Sequence, residues 1–76
     1  MNKAYILLAE GFEVIEALAT IDVMQRGGME CIRVAIGNEL NVKSSHNIIE
    51  CRADILLRDA DLADGAALIL PGGNPG

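Results

Sequence analysis

Aromatic residues are nearly missing from this chain: 76 residues hold one Tyr, one Phe and no Trp. Base-stacking platforms for single-stranded nucleic acid are therefore excluded. Positive charge is scarce as well. Six Lys and Arg stand against 11 Asp and Glu, a formal net charge of −5 at pH 7, which leaves no material for a basic patch facing nucleic acid or an anionic membrane. Two cysteines, Cys31 and Cys51, are too few for a disulfide framework. No Cys/His grouping has zinc spacing, and none implies another metal or a cofactor. The apolar runs Ile6–Ala9 and Ala66–Leu70 fall far short of the roughly 18 residues that span a bilayer. Glu10 interrupts the first run too early for a signal peptide. The expectation is a cytoplasmic chain with reduced thiols.

What is present points to a folded α/β unit. Hydrophobic residues make up 51% and charged residues 22%, which excludes a disordered tail. Lys3 to Ala9 is a nearly continuous apolar run, suited to a strand covered on both faces. Glu13 to Arg26 takes a helical period, with Val14, Ala17, Leu18, Ile21 and Met24 on one face and Gly27-Gly28 as the stop. Cys31 to Ile36 is a second apolar, β-branched-rich run. Strand, helix and strand with short connections make a βαβ unit. Further on, the pattern allows a short strand over Asn47 to Cys51, and an extended piece or a loop over Asp54 to Leu57. Asp59 to Asp64 suits a short acidic helix or turn, and Ala66 to Leu70 a clear strand. A turn cluster, Pro71-Gly72-Gly73-Asn74-Pro75-Gly76, follows that strand directly.

Open α/β sheets place ligand and anion sites in such turns, just past the carboxyl ends of parallel strands. A sheet with helices mostly on one side leaves an apolar face uncovered. A small complete domain is one reading; residues 1–76 as the N-terminal part of a longer single domain is the expectation.

Few residues are candidates for chemistry. Glu13, Glu16 and Thr20 lie together on one side of the helix. Spacing alone favours ordinary first-turn acids on a solvated face. Position raises Glu16, because it sits at the carboxyl edge of the first strand, where the Gly72-Gly73 turn should also lie. A carboxylate in the first turn is favoured by the helix dipole. Consecutive amides after Pro71 suit an anion nest, although a Pro-Gly-Gly turn marks many tight loops. Ile15, Ala19 and Val23 form a second apolar stripe, which a later helix of the same chain or a symmetric partner would cover. Asp59, Asp61 and Asp64 lack the twelve-residue calcium pattern and read as a solvated loop. His46, alone in a polar stretch, suits a surface or interface role. Cys51 sits among apolar residues and is inert unless its pKa is depressed.

Taken together, three segments resemble the DJ-1/PfpI (ThiJ/PfpI) superfamily, in its DJ-1-like branch. They are Ala9-Glu10-Gly11-Phe12-Glu13-Val14-Ile15-Glu16, Asp22-Val23-Met24-Gln25-Arg26-Gly27-Gly28, and Leu70-Pro71-Gly72-Gly73-Asn74-Pro75-Gly76. The resemblance implies a flavodoxin-like (class I glutamine amidotransferase-like) sandwich with a mostly parallel sheet, of which this chain is the N-terminal portion. It implies a cysteine nucleophile on a strand-to-helix elbow beyond Gly76, so that neither Cys31 nor Cys51 is the nucleophile and the segment alone is inactive. Glu16 matches the acid that contacts that thiol, there taken to be protonated. Gly72 and Gly73 match the oxyanion-binding turn, and Cys51 matches an oxidation-prone cysteine of some members. Ile15, Ala19, Asp22, Val23 and His46 fall at the homodimer interface, with His46 where some relatives have Arg opposite Asp22. The implied activity is glyoxalase- or deglycase-like, on reactive aldehydes or their glycated adducts. The alternatives are an oxidative-stress sensor and chaperone, or the thiazole monophosphate biosynthesis and intracellular peptidase functions ascribed to relatives.

Overall fold

The change from an apolar β run to a 3.6-residue period is realised as β1 (Lys3–Leu8), α1 (Val14–Arg26) and β2 (Glu30–Ala35). A computed structural model describes residues 3–65 and 67–72 of the chain. α1 ends where the sequence says it should. Gly28 takes φ 88°, its N–H donates to the Gln25 carbonyl at 3.1 Å, and the Met29 N–H donates to the Met24 carbonyl at 3.0 Å. This paired closure needs a left-handed residue, which costs least without a Cβ.

After β2 the chain forms an antiparallel hairpin of β3 (Asn41–Lys43) and β4 (Glu50–Arg52). The pattern suggested a strand over 47–51 and gave no sign of β3, whose three residues carry one apolar side chain. The strand begins at Glu50 because His46 and Asn47, at φ 57° and 52°, turn the chain. The Ile48 N–H donates to the Ser45 carbonyl at 3.3 Å across them, as in a primed hairpin turn. The ambiguous 54–57 segment contains β5 (Ile55–Leu56), and the acidic stretch after it forms two 3₁₀ turns, Leu57–Asp59 and Leu62–Asp64. β6 (Ala67–Ile69) follows.

The main sheet has four strands in the order β5-β2-β1-β6, and every neighbouring pair is parallel. Ala4, Ile6 and Leu8 of β1 stand beside Cys31, Arg33 and Ala35 of β2, so these residues share one face. On that face Ile6, Leu8, Cys31 and Ala35 pack with Phe12, Ala17 and Val42, and with Ile21 and Met24 at the margin. The helix therefore meets the sheet through Ala17, Ile21 and Met24. Leu18, expected on that face, is 39% exposed, because the helix is centred on the small, fully buried Ala17 and a residue 100° away swings to its flank.

The opposite face carries Tyr5, Leu7, Ile32 and Val34. To pass from β5 to β6 the chain must cross β2 and β1, and Asp64 and Gly65 meet Tyr5 on this face. The first crossover uses one face and the second uses the other in the reverse direction. That is the doubly wound arrangement of flavodoxin-like sheets.

Candidate functional site

Reversal of direction leaves a topological switch point between the carboxyl ends of β1 and β6, where doubly wound sheets bind ligands. Two segments enter it: the first turn of α1, which follows β1, and residues 70–72, which follow β6. They are tied together twice through Gly72. Its N–H donates to Glu16 Oε1 at 2.7 Å, and its carbonyl accepts from the Glu13 N–H at 2.7 Å. Glu13, the N-cap residue, makes no side-chain capping bond, and the segment after β6 pairs one of this helix end's unpaired donors, the Glu13 N–H. A Cβ on Gly72 would lie 2.9 Å from Glu16 Oε1, so any larger residue would make that carboxylate shift.

The Gly72 amide, expected as an oxyanion donor, is thus occupied by Glu16. Gly73, the other expected donor, lies outside the described residues. Among the described residues, Oε1 is the Glu16 oxygen that is engaged, and Oε2 makes no hydrogen bond.

The hairpin forms the other wall. The Gly11 N–H donates to the Lys43 carbonyl at 2.8 Å, the Ser45 N–H to the Phe12 carbonyl at 2.8 Å, and the Lys43 N–H to Glu10 Oε2 at 2.9 Å. Ser44 and Ser45 are buried at this seam. An open groove of about 300 Å³ runs beside it, lined by Glu10, Gly11, Lys43, Ser44, Ser45 and His46 among others. His46 is exposed at the hairpin tip. Sequence reasoning missed the role of Glu10 as hairpin anchor, because its partner is 33 residues away and no local pattern marks it.

The other expected residues separate into two groups. Ile15 and Val23 are 74% and 66% exposed, and Ala19 and Asp22 are exposed on the same outward side of α1. Asp22 pairs within its own helix with Arg26 at 3.1 Å. Cys51 lies in β4 opposite Val42, half-buried against the core and apart from the Glu16–Gly72 contact. Cys31 is buried, and burial pushes its thiol pKa up against the opposing charge of Arg33. Among the described residues no group of three His, Cys, Asp or Glu could hold a metal ion, and no helix is long and apolar enough to cross a membrane.

A flavodoxin-like sheet with Glu16 and the Pro71-Gly72 segment joined at its switch point defines the class. The chain belongs to the DJ-1/PfpI family, whose profile matches residues 2–76. It is similar to protein DJ-1 homolog B of Arabidopsis thaliana, 38% identical over 99% of this chain and 17% of that protein. Homolog A of the same plant is 37% identical over 91% of this chain and 17% of that protein. Among solved structures, a DJ-1 superfamily protein from Salmonella typhimurium superposes with a TM-score of 0.91 at 37% identity, over 100% of this chain and 40% of the other. Oxidized Toxoplasma gondii DJ-1 superposes with a TM-score of 0.92 at 28% identity, over 100% of this chain and 41% of the other. The chain therefore spans well under half the length of the relatives it matches.

Proposed function

We propose that residues 1–76 supply half of a cysteine-dependent site that acts on small reactive aldehydes or their adducts. The nucleophilic thiol would come from chain beyond Gly76. The observation that carries this reading is the Glu16–Gly72 contact, 2.7 Å long, at the switch point of the sheet. A carboxyl group fixed through one oxygen keeps the other for a neighbouring thiol, so that Glu16 can hold the sulfur as thiolate and manage its proton. The thiolate adds to the aldehyde carbon, a C–S bond forms, and the carbonyl electron pair moves to oxygen. The hydrogen of that carbon then passes to the neighbouring ketone carbon to leave a thioester, and water breaks the C–S bond and frees the thiol. Donation to that oxygen falls to Gly73, since the Gly72 amide is committed to Glu16. For a 2-oxoaldehyde the net change is addition of one water to give a 2-hydroxy acid. No external oxidant is needed, because the aldehyde carbon is oxidised as the ketone carbon is reduced.

The same reading makes the full protein a cytoplasmic homodimer. The homodimer is supported by the exposed stripe Ile15, Ala19 and Val23, with Asp22 beside it, and by His46 exposed at the hairpin tip. A second reading, an oxidation sensor and chaperone, is supported by the same Glu16 oxygen, unengaged among the described residues, which suits a sulfinate as well as a thiol. Conversion of methylglyoxal to lactate by the full-length protein tests the enzyme reading. Turnover no higher than that of a variant with the nucleophilic cysteine changed to serine rejects it and favours the sensor.

A further inference from the structure

β6 is three residues long and, among the described residues, pairs with β1 alone: Ala4 with Ala67, Tyr5 with Leu68 and Ile6 with Ile69. So short an edge strand has little of its own to fix its register, and a slip of one residue exchanges its two faces. Fixation comes from outside the strand. Upstream, the Asp64 carboxylate accepts from the Tyr5 hydroxyl and, at 3.3 Å, from Lys3 Nζ. Gly65 lies so close to the Tyr5 ring that a Cβ would fall 2.6 Å from Cδ2. Tyr5 therefore holds β6 twice, through its backbone at Leu68 and through its side chain at the turn before the strand. Downstream, Gly72 is gripped by Glu13 and Glu16.

We propose that Tyr5 and Asp64 are positioning residues: by clamping the amino end of β6 they set its register, and so deliver Gly72 to Glu16 at the other end. The proposal rests on the reading of Glu16 and Gly72 as half of the active site only for its effect on turnover. Its geometric claim stands apart. The charged groups around the clamp are Lys3 on β1, Asp61 beside the turn and Glu30 on β2. Lys3 is the cation that offsets Asp64.

The test is amide hydrogen exchange at neutral pH on the full-length protein and its Tyr5→Phe and Asp64→Asn variants. Phe keeps the ring against Gly65 and removes only the hydroxyl. The expected result is Gly72 exchange faster by about tenfold or more, well beyond any rise at the Val34 amide in the middle of the sheet, which reports only the global stability lost with the bond. Gly65→Ala, which crowds the ring, should give the same pattern. Faster exchange confined to residues 62–65 would overturn the proposal, as would an equal rise at Gly72 and Val34, which reports global destabilisation. In kinetics, kcat for the 2-oxoaldehyde should fall about tenfold with KM nearly unchanged, the mark of a lost alignment and not of lost binding. A full-length protein without turnover would reject the enzyme reading, while the exchange data would still decide the clamp.

Discussion

Glu16 and Gly72 are 56 residues apart in sequence and joined by a 2.7 Å hydrogen bond from amide to carboxylate. That bond fastens the first turn of α1 to the segment after β6, and it fixes one face of the candidate site before any substrate arrives. In Gly72→Ala the new methyl would meet Glu16 Oε1 at 2.9 Å, so the carboxylate must move. Displacement of about 1 Å near reacting atoms costs up to about 10²-fold in rate. The full-length variant is expected to lose activity on that scale, measured as kcat/KM, while unfolding free energy falls by only about 1 kcal/mol. Glu16→Gln keeps an acceptor for Gly72 but cannot manage the proton. It should retain stability and lose about 10²-fold or more in kcat.

The outward stripe of α1 predicts a second result. Ile15→Lys or Val23→Lys places an unpaired charge where the proposed partner helix packs, at a cost of several kcal/mol. Sedimentation of the full-length variants at micromolar concentration should show monomer where the parent is dimer. A dimer untouched by both changes would place that interface elsewhere.

Two carboxylates predict the acid limb of stability. The hydrogen bond from Arg33, at 2.9 Å, holds Asp54 below its ordinary pKa against the opposing effect of burial. The Tyr5 hydroxyl, and after it Lys3, hold Asp64 low in the same way. Each contributes stability that is present above the ordinary carboxylate pKa and is lost as pH falls through the lowered value in the folded protein. Tyr5 acts at the other extreme. Its pKa is pushed from 10.0 to about 12, chiefly by its bond to Asp64. That contribution is present below pH 10.0 and is lost as pH rises toward about 12. Urea unfolding across pH should show a flatter acid limb in Asp54→Asn and Asp64→Asn, and a flatter alkaline limb in Tyr5→Phe.

Thiol reactivity should follow position in the fold. Cys31 is 5% exposed and its pKa is raised by burial, whereas Cys51 is half-buried on the hairpin. Iodoacetamide at neutral pH should modify Cys51 faster than Cys31 by about tenfold or more. Peptide mass spectrometry checks the order, and equal rates would show that the hairpin opens as one piece with the core.

Much of this fold was legible because its signals are local. The first strand, the helix period and the glycine stop are written in consecutive residues, and the structure realises each within a residue or two. Glu16 and the Gly72 turn were legible through their place at strand ends. β3 was not, since a three-residue strand with one apolar side chain is defined by its partner and not by its own pattern. Leu18 was misplaced because the wheel gives a face but not the point on which the helix rests. The Tyr5–Asp64 and Lys3–Asp64 pairs, 59 and 61 residues apart, leave no local mark at all.

The two partners of β1 lie at very different distances along the chain. Lys3 meets Glu30, a separation of 27 residues, whereas Ala4 meets Ala67, a separation of 63. Closing a loop costs about 0.6 kcal/mol more for each doubling of its length, and distant pairings form late for that reason. The β1–α1–β2 unit is therefore expected to assemble first and β6 to dock afterwards, bringing Gly72 to Glu16 as it arrives. A reactive thiol that depends on Glu16 would thus stay unsupported until the sheet is complete, and chemical competence would mark the end of folding.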